Sequence, residues 1–217
     1  MKFAIARWCA PVVMLMLAGP PAWAQDGSDL PLPTAAEAYG AEDPLAVAPK
    51  RIDPTDSRAV KMLEQILQYD PENVNARIQN ADLMIAKGQR QRGLDEYAYA
   101  LRLAGADTKK QHTVHWNYGW ALYRGGEVRG AISQWMKAEA LHGGRPTWAP
   151  TTYAIGLWTA GEKALALDFY KSAVRSNPRR WGTSSGLDES IRTWDSEQRQ
   201  TIKAVYDAWR ETLGTGR

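Results

Sequence analysis

The same spacing of small and large apolar residues occurs three times in this chain of 217 residues. One glycine marks the turn in each copy, and these glycines, Gly88, Gly126 and Gly161, are 38 and 35 residues apart. Repeats of about 34 residues are typical of helix-turn-helix arrays, in which each unit buries its apolar face against its neighbours. The period therefore predicts an all-α solenoid of antiparallel helix pairs.

Four positions carry the same class of residue in every copy: a small residue, a second small residue, an aromatic residue and an alanine. Copy by copy they are Ala81, Gly93, Tyr97 and Ala100, then Gly119, Ala131, Trp135 and Ala138, then Ala154, Ala166, Tyr170 and Ala173. Small residues let the two helices of a unit approach closely, and the aromatic ring fills the space behind them. The pattern resembles the tetratricopeptide repeat family from about Asp56 to Pro178. This resemblance implies a right-handed superhelix.

We divide the chain into four segments on composition and periodicity. They are a signal peptide (1–24), a flexible leader (25–55), a repeat domain (56–178) and a C-terminal helical cap (179–217). The repeat domain consists of a half-unit at 56–71 and units at about 74–107, 112–145 and 147–178. The leader is rich in proline and alanine and lacks periodic apolar residues, although a short helix around Thr34 to Tyr39 is compatible with its sequence.

The first segment has the layout of a secretory signal. Lys2 and Arg7 precede an apolar stretch, and Ala22-Trp23-Ala24 forms a small-residue cleavage site. Cleavage after Ala24 also removes Cys9, the only cysteine, so the exported chain would contain no disulfide. We predict a bacterial periplasmic protein, with full secretion as the alternative.

The last segment contains one apolar stripe with helical spacing. Its members are Ile202, Val205, Tyr206, Trp209 and Leu213, and Ser196 is the predicted N-cap of the helix that carries them. A repeat array needs a terminal element to cover its last unit, which favours a cap. The alternative is an adhesive surface for a partner or for a second copy of the chain.

The resemblance also places a binding surface. In tetratricopeptide proteins the second, fifth, ninth and twelfth positions of each first helix line a concave groove. The candidate partner-binding residues on this basis are Trp116, Trp120, Tyr123, Trp148, Trp158, Asp82 and Ile155. Aromatic rings on a concave surface are typical of binding hot spots. In the alternative interpretation, the rings pack between neighbouring first helices or lie beneath the C-terminal helix.

The sequence contains few candidates for catalytic or metal-binding residues. His112 and His115 lie three residues apart on one helix face, but no third metal ligand accompanies them. The sequence has no nucleophile elbow and no glycine-rich phosphate loop. We therefore predict no catalytic residue, no cofactor and no metal.

Charge and hydropathy limit the partners. The net charge of +3 falls to about +1 without Lys2 and Arg7, which argues against nucleic acid as a partner. No stretch after the signal is long and apolar enough to span a membrane. The sequence predicts a non-catalytic protein–protein interaction scaffold of the cell envelope. A carbohydrate- or peptidoglycan-binding module that uses the same groove is the alternative, and the oligomeric state is left open.

Overall fold

The computed structural model describes residues 30–47 and 51–214. The predicted signal peptide lies outside these residues. The described part of the chain forms ten helices and no β-strand. The helices are α1 (Ser57–Tyr69), α2 (Val74–Ala86), α3 (Arg90–Ala104), α4 (Thr108–Arg124), α5 (Val128–His142), α6 (Ala149–Thr159), α7 (Lys163–Ser176), α8 (Pro178–Trp181), α9 (Ser184–Ser190) and α10 (Ser196–Gly214).

Helices that follow each other along the chain pack in pairs. The most extensive contacts join α2 to α3, α4 to α5, and α6 to α7, and each pair also contacts the next one. The single helix α1 packs against α2. The predicted all-α fold of repeated helix pairs is therefore confirmed.

The recurring sequence positions form the interior of these pairs. All twelve small, aromatic and alanine positions of the three copies are buried. Gly119 shows why small residues occur there, because a Cβ atom built on it would overlap the indole of Trp135. The absence of a side chain at Gly119 is therefore what allows α4 and α5 to approach each other.

Gly88, Gly126 and Gly161 end the first helix of each pair. Their φ angles of +76°, +81° and +86° lie in the left-handed region, which glycine adopts without steric cost. After Gly126, the N–H of Glu127 donates to the carbonyl of Leu122, and equivalent bonds follow the other two glycines. This is the Schellman arrangement, which satisfies carbonyls at the end of a helix and reverses the chain.

Helix α10 covers the last pair. It packs against α6 and α7, with Ile202 and Val205 fully buried and the Trp209 ring 5.8 Å from that of Tyr170. The predicted N-cap was wrong by one residue. Ser196 is the first residue of the helix, and the carboxylate of Asp195 caps it by accepting the N–H of Gln198 at 2.9 Å.

Residues 30–47 of the predicted leader pack against the array. The compatible short helix at Thr34 to Tyr39 does not form. Instead Tyr39 is 4% exposed, its ring lies 6.4 Å from that of Phe169, and its N–H donates to Ser176 Oγ at 2.8 Å. This part of the leader is therefore docked along α7, although its composition resembles that of a free linker.

Backbone hydrogen bonds fix the next part of the leader to the loop between α5 and α6. The amides of Gly40 and Ala41 both donate to the carbonyl of Arg145, at 3.1 and 3.0 Å. In return, the amide of Thr147 donates to the carbonyl of Ala41 at 3.0 Å. The leader is thus bound as an extended peptide at this edge of the array. Among the described residues, no helix is long and apolar enough to cross a membrane.

Candidate functional site

A cavity of about 570 Å³ lies where the leader, the helix pairs and the C-terminal region meet. Five tryptophans and several polar side chains line it: Trp116, Trp120, Trp148, Trp181, Trp194, Asp82, Asn117, Arg124, Thr147, Thr151, Thr152, Arg180, Thr193, Asp195 and Gln198, with Ala46, Val47 and Arg51 from the leader. Its volume is within the range of about 300–1,000 Å³ that is typical of ligand pockets.

Helix α4 supplies one wall because three of its lining residues are spaced four apart. Trp116, Trp120 and Arg124 therefore share one face of the helix. The ring of Trp116 meets that of Trp120 edge-on at 5.7 Å and lies 4.5 Å from that of Trp148, just before α6. These contacts make a continuous row of three indoles across two neighbouring units, which we call the tryptophan row.

The C-terminal region supplies the other two tryptophans. Trp181 belongs to α8, and Trp194 lies in the connection between α9 and α10, with their ring centroids 6.1 Å apart. The guanidinium of Arg180 lies 4.9 Å from the ring of Trp181, and its Nε donates to Ser190 Oγ. The last helices therefore contribute to the cavity as well as covering the array.

A partly buried ion pair occupies one side of the cavity. Oδ1 of Asp82 accepts hydrogen bonds from Arg124 Nη2 at 3.0 Å and from the Tyr97 hydroxyl at 2.9 Å. Burial raises the pKa of the Asp82 carboxyl, while Arg124 and the Tyr97 hydroxyl act in the opposite direction. Asp82 is thus held by α3 and α4, which makes it a structural charge as well as a lining residue.

A second buried carboxylate belongs to the leader. The side chain of Asp43 is 1% exposed, and its Oδ2 accepts the indole N–H of Trp148 at 2.7 Å. The same oxygen lies 2.8 Å from Nε2 of His112, the fifth residue of α4. Burial lowers the pKa of His112, and the carboxylate of Asp43 opposes this shift. Asp43 therefore connects the leader to two elements of the array.

The cavity brings together four of the seven predicted groove residues, namely Trp116, Trp120, Trp148 and Asp82. The other three lie outside its lining. Ile155 is fully buried, and Tyr123 is 2% exposed, with its hydroxyl 3.2 Å from Thr159 Oγ1. Trp158 is half-buried, and the ammonium group of Lys163 lies 3.6 Å from its ring centroid.

The groove positions of the repeats did not indicate Trp181, Trp194 or the leader residues of the cavity. These residues lie outside the three repeat units, so the register of the repeats contains no information about them. A partial signal is the number of tryptophans, ten in the whole chain, because the repeat pattern requires only one aromatic residue per unit.

The two histidines of α4 make separate contacts. His112 faces Asp43, whereas Nδ1 of His115 lies 2.7 Å from Oε1 of Gln134. The described residues contain no group of three or more His, Cys, Asp or Glu side chains arranged to hold a metal ion. The lining of the cavity offers indole rings for stacking and polar side chains for hydrogen bonds.

Comparisons with protein-family models, curated proteins and solved structures found no match to this chain.

Proposed function

We propose that this chain is a non-catalytic scaffold of the bacterial cell envelope that binds a peptide segment of a partner protein in the tryptophan-lined cavity. The observation that carries the proposal is the docked leader. The backbone of Gly40 and Ala41 is hydrogen-bonded to the loop between α5 and α6, Tyr39 beside them is buried, and Ala46 and Val47 line the cavity. The array therefore already holds a peptide segment through its backbone next to this site.

The composition of the cavity supports a peptide ligand. Tryptophan side chains offer a large contact area at a small cost in conformational entropy and dominate binding hot spots. Asn117, Gln198 and the threonines can pair with the amides and carbonyls of a bound backbone. Side chains of both charge signs, such as Arg180 and Asp195, can pair with charged residues of the partner.

We also propose that the array is related to the tetratricopeptide repeat proteins. The support is the burial of all twelve recurring positions and the left-handed glycine at the turn of each pair. The proposed location, the periplasm, rests on the signal sequence alone, with secretion as the alternative.

Affinity capture from an envelope extract tests this function. The mature chain should retain a stoichiometric protein, and Trp194→Ala should weaken the capture about tenfold or more, because a hot-spot ring contributes about 2 kcal/mol. Trp158→Ala is the matched control, since it removes a half-buried tryptophan outside the cavity. If Trp158→Ala abolishes capture and Trp194→Ala does not, the partner binds elsewhere.

A carbohydrate ligand is the second candidate, and the mixture of indoles with planar polar side chains favours it. A sugar ring can stack on Trp120 or Trp194 while Asn117 and Gln198 bind its hydroxyl groups. Retention of the mature chain on purified cell-wall polymer, lost in Trp194→Ala, would favour this candidate over the peptide.

A further inference from the structure

The leader and the tryptophan row meet at a single carboxylate. The indole N–H of Trp148 donates to Oδ2 of Asp43, and the ring of Trp148 lies 4.5 Å from that of Trp116. Hydrogen bonds to a charged group are stronger than those between neutral groups, and the carboxylate side chain that accepts this one is buried. The orientation of Trp148 is therefore coupled to the position of the leader.

The leader also supplies part of the cavity wall. Ala46 and Val47 line the cavity three and four residues after Asp43. On the other side of Asp43, the leader is fixed by the amides of Gly40 and Ala41 and by the buried ring of Tyr39. The wall segment is thus held in place by anchors that lie earlier in the chain.

We propose that the docked leader completes the binding cavity, with Asp43 as the positioning residue that orients Trp148 toward the tryptophan row. Undocking of the leader would remove the wall formed by Ala46 and Val47 and release the indole of Trp148. The cavity is therefore complete only while the leader is docked. The ligand-binding part of this inference rests on the proposed function.

Fluorine NMR of the mature chain labelled with 5-fluorotryptophan tests the inference without a ligand. Single Trp→Phe variants assign the resonances. Asp43→Ala is expected to shift and broaden the Trp148 and Trp116 resonances and to leave Trp209, in the C-terminal cap, unchanged. Asp43→Asn should return the Trp148 and Trp116 resonances most of the way to their parent positions because its amide oxygen can accept the indole N–H. A Trp148 resonance that is unchanged in Asp43→Ala would overturn the proposal.

Asp53→Ala is the matched control, because this leader carboxylate is exposed and, among the residues that the structure describes, bonds to nearby Thr55. It should leave every tryptophan resonance in place. The same changes in Asp53→Ala as in Asp43→Ala would mean that they reflect a general loss of charge in the leader, and would overturn the role of Asp43.

Trp148→Phe keeps the proposal testable if Asp43→Ala fails to fold. It retains an aromatic ring but loses the N–H, so the leader amides of Gly40 and Ala41 should exchange hydrogen about tenfold faster or more. Unchanged exchange would show that the bond to Trp148 does not hold the leader, and would overturn the coupling.

Capture of the partner completes the test. Asp43→Ala should weaken capture about tenfold, and Asp43→Asn should recover it. Full capture by Asp43→Ala together with a shifted Trp148 resonance would overturn the claim that the leader completes the ligand site. If the parent captures nothing, the proposed function fails, while the NMR and exchange results still decide whether the leader orients Trp148.

Discussion

At the scale of single residues, the structure distinguishes glycines whose replacement by alanine would create a steric clash from those with space for a methyl group. Gly119 in α4 has no space for a methyl group, because Trp135 is fully buried and occupies that position. At Gly130 in α5, an added Cβ atom would lie 3.5 Å from its nearest neighbour, Leu122 Cδ1, which is an ordinary van der Waals distance. The same substitution should therefore have opposite effects at the two sites.

We expect Gly119→Ala to lower the free energy of unfolding by about 1–3 kcal/mol, the usual cost of overpacking a core. Gly130→Ala is the control and should be neutral or stabilising by up to about 1 kcal/mol, because alanine favours the helix. Chemical denaturation of both variants measures the difference. Equal stability of Gly119→Ala and the parent would mean that α4 and α5 are not in close contact here.

We expect two histidines to make the stability of the fold depend on pH. Burial lowers the pKa of His112 and of His115 below the usual value, with Asp43 and Gln134 opposing the shift. Near and below about pH 6.5, the two histidines therefore bind fewer protons in the folded chain than in the unfolded chain. The free energy of unfolding is higher above this pH and decreases as the pH falls and the unfolded chain takes up protons.

We expect the melting temperature to fall between about pH 7.5 and about pH 5.5, and His112→Gln to reduce this fall. The glutamine amide is neutral and can donate to Asp43, so the variant should fold. Melting curves of the parent and of His112→Gln across this range provide the measurement. A larger fall in the variant would mean that Asp43 stabilises the protonated imidazole more than burial destabilises it.

At the scale of helices, the periodicity of the sequence predicted those features that depend on residues close together in the chain. The repeated helix pairs, the glycine turns and the apolar stripe of the last helix follow from residues that are close in sequence. The leader could not be predicted in this way, because its anchors contact partners about 70 to 140 residues away, such as Asp43 on His112 and Tyr39 on Ser176. One tyrosine and one carboxylate produce no periodic signal in a segment rich in proline and alanine.

The cap can be tested as one element. Truncation after Thr193 removes the side chains of Ile202, Val205 and Trp209 from α6 and α7. We expect a lower melting temperature and aggregation, because the apolar surface of the last pair becomes exposed. Leu213→Ala is the control. Leu213 is 56% exposed, so this change should alter stability by no more than about 0.5 kcal/mol.

At the scale of the whole molecule, the cavity depends on segments from both ends of the chain. The repeat register placed Trp116, Trp120 and Trp148 around a common surface, and the structure puts all three in the cavity lining. The repeat register could not predict the positions of Trp194 and Val47, because these depend on how the C-terminal region and the leader fold back onto the array. The site is therefore a property of the assembled chain.

The leader should also stabilise the array as a whole. It joins α7 to the loop between α5 and α6 and to α4, so these elements should lose stability together when it is released. We expect Tyr39→Ala to lower the free energy of unfolding by about 3–5 kcal/mol, as for other buried aromatic residues, in a single cooperative transition.

Tyr39→Phe keeps the ring and loses only the hydroxyl, which accepts the N–H of Ala36 at 3.1 Å. It should cost about 1 kcal/mol. Denaturation followed by both fluorescence and circular dichroism measures both variants. If Tyr39→Ala instead produces a separate early transition and leaves the main one unchanged, the leader unfolds independently. It would then be an appendage that binds the array without stabilising it.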